Sequence, residues 1–123
     1  MRLKNSFFNS VHSALGGIVY VFKSERNFRI QLFFAILIIC LAIYFPLTHN
    51  ERLIILVSIF AVLVMEMCNT AVEKFSDLLK PRLNSYVKDI KNIMAGAVLL
   101  TSLLSAIIGL YIFIPYLLLL IYK

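Results

Sequence analysis

Apolar and polar positions divide the chain into a polar-interrupted N-terminal stretch and three long apolar runs. Within residues 1–29, apolar side chains recur at steps of three or four, at Leu3, Phe7, Val11, Ala14, Ile18 and Phe22. This spacing predicts an amphipathic helix whose apolar face suits a position in the membrane interface. We do not expect a cleavable signal peptide, because no continuous apolar core follows the first basic residues.

The apolar runs predict three membrane helices, which cover about residues 30–47, 53–79 and 93–119. Pro81 ends the second helical pattern. The third run, Ile93 to Tyr122, contains no charged residue. At 1.5 Å per residue it is longer than a hydrocarbon core of about 30 Å, so part of it must tilt, kink near Pro115 or lie in the interface. The sequence thus predicts one all-α membrane domain over residues 1–123.

Composition and charge support this interpretation. The chain is 62% hydrophobic with a mean hydropathy of +0.94, whereas soluble domains carry roughly 45–50% apolar residues. Its net charge of +6 lies in short segments that flank the apolar runs. Nucleic-acid binding is not expected, since no basic groove pattern accompanies the charge. A bundle this small has little interior of its own, and self-association is therefore expected.

The distribution of basic residues predicts the orientation of the chain. The N-terminal segment and the second loop hold nearly all the Lys and Arg, whereas the first loop has only Arg52. Because positive charge is retained on the inner side, the N-terminus is expected in the cytoplasm and the C-terminus outside the cell membrane.

One face of the second span carries side chains that are costly in lipid: Glu66, Asn69, Glu73 and Asp77. At 100° per residue, offsets of 3, 7 and 11 place the last three within about 60° of Glu66. An ionisable residue at membrane depth costs roughly 2.5–3.5 kcal/mol on insertion scales, so it is rarely without a function. A solvated helix end would explain Asp77, but it does not explain Glu66, which follows thirteen mostly apolar residues.

Further charged groups are expected at the same cytoplasmic boundary. Glu25 lies just before the first span, and Lys88 and Lys91 lie just before the third. Mg²⁺ commonly takes one or two carboxylates together with substrate phosphates, which lysines also bind. This set suggests phosphoryl transfer to a lipid, yet the sequence has neither a P-loop motif nor a kinase-type glycine-rich loop. The residues alone therefore predict only metal-dependent chemistry at the cytoplasmic interface.

Four stretches resemble the small prokaryotic diacylglycerol kinase/undecaprenol kinase family. They are Ser10–Gly17 (SVHSALGG), Ser24–Gln31 (SERNFRIQ), Glu66–Asp77 (EMCNTAVEKFSD) and Lys91–Val98 (KNIMAGAV). The resemblance covers about residues 6–115, and the combination of ExxNTAxE with ERNFR makes it specific. It implies a homotrimer of three-span subunits that transfers the ATP γ-phosphate to a lipid hydroxyl, with each site formed between neighbouring subunits.

The resemblance also implies roles for individual residues. Glu66 corresponds to the general base that takes the lipid hydroxyl proton, and Glu25 and Glu73 correspond to glutamates that bind Mg²⁺. The remaining matched positions are Asn69 and Lys91 near the transferred phosphate, Asp77 as a supporting acid, and Gly17 near the nucleotide. Independently, Glu66 is the deepest acid, which suits a base for a lipid that enters sideways.

One position departs from the family pattern. The family usually has Lys-Asp before its AGAV-like segment, whereas this chain has Lys91-Asn92. Lys88-Asp89, one turn earlier, offers an alternative register, although the ungapped reading places Lys91 and Asn92 at the site. In the ungapped reading, the contact that the resemblance implies for the missing acid, a contact to the nucleotide, is altered here.

Several functional hypotheses remain open at this point. The ERNFRIQ stretch is closer to the undecaprenol-type members, so undecaprenol is the expected substrate and diacylglycerol the alternative. A small oligomeric pore shares the size and span number, but it would not explain three acids on one helix face. Asn92 also leaves open an inactive scaffold with a degenerate site.

Overall fold

The computed structural model describes the backbone of residues 2–122 and the side chains of residues 6–122. It contains four helices: α1 Arg2–Ser24, α2 Arg26–Tyr44, α3 His49–Asp77 and α4 Asn84–Ile121. The last three are long and apolar enough to cross a membrane. The predicted all-α fold, an N-terminal helix followed by three membrane helices, is therefore confirmed. Met1, Lys123 and the predicted apolar position Leu3 lie outside the residues whose side chains are described.

The helix boundaries differ from the predicted ones: α2 spans Arg26–Tyr44 rather than about 30–47, α3 spans His49–Asp77 rather than about 53–79, and larger differences concern α1 and α4. The N-terminal helix ends at Ser24 rather than at residue 29, because the backbone becomes extended at Glu25 (φ −112°, ψ 112°) and α2 begins directly after it. The helix predicted from residue 93 begins at Asn84 and includes the polar stretch before the apolar run. At 1.5 Å per residue its 38 residues measure about 57 Å, so α4 extends well beyond a hydrocarbon core. Pro115 lies inside α4 without ending it.

The three membrane helices pack most tightly at the end of the bundle where α2 turns into α3. We call this the closed end, and its core comprises Ala42, Phe45, Leu47, Ile55, Ile112 and Phe113. Thr48 caps α3 through a reciprocal capping box with Glu51, and the Tyr116 hydroxyl donates to Glu51 Oε1 at 2.7 Å. Arg52 donates to the main-chain oxygen of Ala42 at 3.2 Å. These bonds tie α2, α3 and α4 together at this end.

The opposite end of the bundle carries the acidic residues Glu25, Glu66, Glu73 and Asp77, and we call it the acidic end. Helix α4 packs mainly on α3 and α2 also packs on α3, whereas α1 has fewer contacts with α2 and α3. Most large apolar side chains of the membrane helices face outward, as expected where lipid or another subunit covers them. The fold therefore combines a closed end with a more open acidic end.

Candidate active site

Glu66 is the most deeply placed acid of the acidic end. It leaves only 5% of its surface exposed, although it lies within an apolar helix. Gln31 on α2 donates a hydrogen bond from Nε2 to Glu66 Oε1 at 3.1 Å. The neighbouring Thr70 hydroxyl donates to the main-chain oxygen of Glu66 at 3.1 Å, not to its carboxylate. A buried carboxylate held by a neutral amide rather than a cation is costly, which is typical of a functional group.

Glu73 lies two turns beyond Glu66 on the same face of α3. Asn69 Nδ2 lies 3.4 Å from Glu73 Oε1, a long hydrogen bond between side chains one turn apart. Glu25 stands at the junction of α1 and α2, and both of these helices contact α3. The structure thus places three of the predicted acids at the acidic end, one at the α1–α2 junction and two on α3.

The junction between α1 and α2 positions Glu25. Its backbone N–H donates to Val21 at 2.8 Å, while its extended conformation changes the direction of the chain. Arg29 Nη1 donates to the main-chain oxygens of Phe22 and Lys23 at 2.8 and 2.9 Å. A guanidinium that binds these last carbonyls satisfies the C-terminus of α1 and complements its dipole. Arg29 therefore fixes the joint in which Glu25 stands.

A second contact holds the surface helix near the acids. The Lys74 ammonium lies over the Tyr20 ring, 4.8 Å from its centroid, within the range of a cation–π interaction. Lys74 directly follows Glu73, so this contact connects α1 to the acidic face of α3.

Lys91 and Asp77 form an ion pair across the α3–α4 turn. Lys91 Nζ lies 3.0 Å from Asp77 Oδ1, and Lys80 Nζ lies 3.8 Å from the same oxygen. The Asp77 side chain is 61% exposed, so this pair is at the rim of the site rather than beside the buried Glu66. Asn92 and Lys91 both line a polar cavity of about 260 Å³, together with Lys88 and Lys80.

Gly17 stands apart from these groups on the exposed surface of α1. A Cβ atom added there would meet no other atom within 4 Å. Packing inside the described chain therefore does not require a glycine at this position. The predicted site residues form two groups, the deep acids and the Asp77–Lys91 rim, and Gly17 belongs to neither.

The acids suit a Mg²⁺ ion that is shared with a nucleotide. Among residues 2–122, no group of three or more Asp, Glu, His or Cys side chains is arranged to hold a metal. Mg²⁺ usually takes only one or two carboxylates and completes its shell with phosphate oxygens and water. Glu25 and Glu73 supply this number of carboxylates, so the donor set fits a nucleotide-bound Mg²⁺.

An apolar groove leads away from the acids into the bundle. It has a volume of about 340 Å³ and is lined by α2, α3 and α4, from Gln31 at the acidic end to Gly109 towards the closed end. Its walls are mostly aliphatic, interrupted by Ser58, Ser102 and Ser105.

Four residues with contacts at the site carry no signal in the sequence that predicts their role: Gln31, Arg29, Tyr20 and Lys74. Gln31 is a polar residue at the start of an apolar run, and this position could have marked it as a candidate site residue. Its partner Glu66 is 35 positions away, and helical periodicity does not indicate which helix lies opposite.

Comparison with known proteins identifies the family. The family model for prokaryotic diacylglycerol kinase matches residues 12–113. The chain belongs to this family. An undecaprenol kinase of Bacillus subtilis is 34% identical over 111 residues, which are 90% of this chain and 90% of that protein. A diacylglycerol kinase of Synechocystis is 34% identical over 113 residues, 89% of this chain and 63% of that protein.

A diacylglycerol kinase of Haemophilus influenzae is 33% identical over 69 residues, 56% of this chain and 58% of that protein. Membership of the family confirms the predicted enzyme class: the chain is a membrane lipid kinase, and ATP is the phosphate donor that this class implies.

Proposed function

We propose that this kinase phosphorylates undecaprenol, with Glu66 as the general base. The observation that carries the proposal is the buried Glu66 carboxylate, which is bonded to Gln31, a residue that lines the apolar groove. A lipid chain in the groove would bring its hydroxyl to the carboxylate. Glu66 takes the hydroxyl proton while the hydroxyl oxygen bonds to the γ-phosphorus of ATP, and the bond between that phosphorus and the ADP oxygen breaks.

Glu25 and Glu73 would hold Mg²⁺ together with the phosphates of ATP. The ion, when bound, supplies positive charge to the phosphate oxygens. Asn69 supports this role because its amide reaches the Glu73 carboxylate and restrains it.

Lys91 would bind the phosphate chain and offset the charge that develops on it. Asp77 holds the Lys91 ammonium at 3.0 Å and thereby aims it. Asn92 is positioned next to Lys91 and would contact the nucleotide as a neutral group. Gly17 would let the nucleotide approach the backbone of α1, since the space at its Cα is open. The N-terminus and the acidic end would face the cytoplasm, where ATP is available, and the C-terminus would lie outside.

We expect a homotrimer with shared sites, and the different positions of Glu66 and of the Asp77–Lys91 pair along α3 suit the sharing. Asp77, the partner of Lys91, is eleven residues after Glu66, or about 16 Å along α3. A phosphorus atom that reacts with a hydroxyl at Glu66 must be about 3–3.5 Å from it. Lys91 from a neighbouring subunit can then act at Glu66, while the Lys91 of the same chain serves another site.

Diacylglycerol is the second candidate substrate. The relative from Bacillus subtilis named undecaprenol kinase aligns over 90% of its own length, whereas the two relatives named diacylglycerol kinase align over 63% and 58% of theirs. The identities are nearly equal, at 34%, 34% and 33%. The alignment with the undecaprenol kinase covers 90% of both chains, and this favours undecaprenol as the substrate. The description of the family as prokaryotic diacylglycerol kinase favours diacylglycerol.

A transfer assay with radiolabelled ATP separates these possibilities. The chain in nanodiscs is offered undecaprenol or diacylglycerol, with a Glu66→Gln variant in parallel. We expect label in undecaprenyl phosphate, with a loss of at least about 1,000-fold in the variant, since a base contributes roughly 10²–10⁴-fold and its substitution also disturbs the site. Faster labelling of diacylglycerol would reassign the substrate. Labelling of neither lipid would indicate a degenerate site, and a fully active Glu66→Gln variant would remove the base assignment.

A further inference from the structure

We propose that Gln31 is a positioning residue for the reaction, whose side-chain amide fixes the Glu66 carboxylate in the orientation from which it takes the lipid proton. This inference rests on the proposed function, because it assigns a partner to the proposed base. It is carried by the hydrogen bond between the two side chains, the burial of the amide oxygen and the position of Gln31 in the lining of the groove.

The amide reaches Glu66 from a different helix. Gln31 Nε2 lies 3.1 Å from Glu66 Oε1, and this bond joins α2 to α3. A glutamate side chain has several rotatable bonds, and a single strong donor on an adjacent element greatly restricts them. The carboxylate is thereby held on the side of α3 that faces α2.

The other end of the amide is buried at a cost. Among residues 6–122, whose side chains the structure describes, Gln31 Oε1 is buried without a hydrogen-bond partner. A buried unpaired acceptor destabilises a fold, and an aliphatic residue of similar shape would avoid that penalty. The hydrogen bond from Nε2 to Glu66 partly offsets this penalty. A residue kept for stability alone would not need a polar group here.

The chemical nature of the donor suits a base. A lysine or arginine at this position would stabilise the ionised carboxylate strongly and weaken it as a proton acceptor. A neutral amide orients the carboxylate without adding a full charge. Gln31 is also a lining residue of the apolar groove, so it holds the base at the place where the lipid hydroxyl would arrive.

Gln31→Leu removes the donor and keeps the approximate side-chain volume. We expect kcat to fall about 100-fold, as for a misplaced reacting group, with the KM for ATP and for undecaprenol within threefold of the wild type. Gln31→Glu keeps the shape but places a second carboxylate against Glu66, and we expect a loss at least as large. Cys40→Ala alters an exposed residue of the same helix that does not line the groove, and it should leave kcat within twofold.

A double-mutant cycle distinguishes positioning from a structural role. If Gln31 acts through Glu66, then Gln31→Leu should cause no further loss of transfer in the Glu66→Gln background. An equal loss in both backgrounds would overturn the inference, and so would wild-type kcat in folded Gln31→Leu and Gln31→Glu proteins. If the wild type itself labels no lipid, the proposed function fails first and the role of Gln31 falls with it.

Discussion

At the scale of single residues, the Asp77–Lys91 pair is an exposed contact whose proposed role lies in function rather than in stability. Asp77 is 61% exposed in its side chain, and exposed ion pairs contribute only about 0–1 kcal/mol to stability. Two lysines nevertheless lie within 4 Å of this one carboxylate. We therefore interpret the pair as a contact that holds the Lys91 ammonium in position rather than as a source of stability.

We predict that Lys91→Met lowers kcat/KM for ATP about 100-fold or more, because it removes a cation that offsets phosphoryl charge. Asp77→Asn should lower it less, since Lys91 stays but is no longer held. Lys80→Met is the matched control, because Lys80 also approaches Asp77 but at 3.8 Å; it should stay within threefold of the wild type. Steady-state kinetics with varied ATP measure all three. A Lys80→Met defect equal to that of Lys91→Met would contradict a special role for Lys91.

The two glutamates that we propose as Mg²⁺ ligands, Glu25 and Glu73, allow a separate prediction. Glu25→Gln and Glu73→Gln should each raise the Mg²⁺ concentration required for half-maximal activity by about tenfold or more, since each removes one anionic oxygen ligand. Glu51→Gln is the control, because Glu51 lies at the closed end and bonds to Tyr116. This variant should lose stability and keep the wild-type Mg²⁺ requirement. Titration of activity with Mg²⁺ at saturating ATP is the measurement, and unchanged midpoints in the first two variants would contradict the assignment.

At the scale of helices, the joint between α1 and α2 controls where Glu25 stands. Arg29 binds the last carbonyls of α1, and the backbone changes direction at Glu25. We predict that Arg29→Ala lowers activity about tenfold and raises the required Mg²⁺, because α1 loses its C-terminal partner and Glu25 its fixed position. Spin labels on α1 and α2 should show a broader distance distribution in this variant.

Arg26→Ala is the matched control for Arg29→Ala. It removes the same charge three residues earlier, from an exposed position at the start of α2. We expect both activity and the distance distribution to remain near the wild type. Equal effects of the two substitutions would mean that net charge at the membrane surface, rather than the joint, is responsible.

The sequence predicted the helices well because each follows from an apolar run or an apolar face. It missed the start of α4, where the polar segment before the run contains neither Pro nor Gly and simply continues the helix. It also missed the break at Glu25, because the helical spacing of apolar residues alone does not show where a chain changes direction. The bond between Gln31 and Glu66 depends on which helices are neighbours, and a pattern along one helix contains no such information.

At the scale of the whole molecule, the closed end of the bundle is well packed within one subunit, whereas the acidic end is more open. The closed end has a buried core and bonds that join all three membrane helices. At the acidic end the proposed base Glu66 lies deep on α3, and Asp77, the ion-pair partner of Lys91, lies at the rim about 16 Å further along the same helix. Glu66 and the Asp77–Lys91 pair of one subunit thus lie at different depths, an arrangement that suits sites completed by neighbouring subunits.

Mixed oligomers test this arrangement directly. Glu66→Gln and Lys91→Met should each be nearly inactive alone. If one site takes Glu66 from one subunit and Lys91 from the next, then random mixing at equal amounts leaves both residues intact in about one quarter of the sites of a ring. We therefore predict that co-expressed variants recover about a quarter of wild-type lipid phosphorylation. Glu66→Gln mixed with the double variant Glu66→Gln/Lys91→Met is the control and should stay inactive, because no site then has an intact Glu66. No recovery, in preparations where affinity tags prove that the variants co-assemble, would place Glu66 and Lys91 of each site in the same chain.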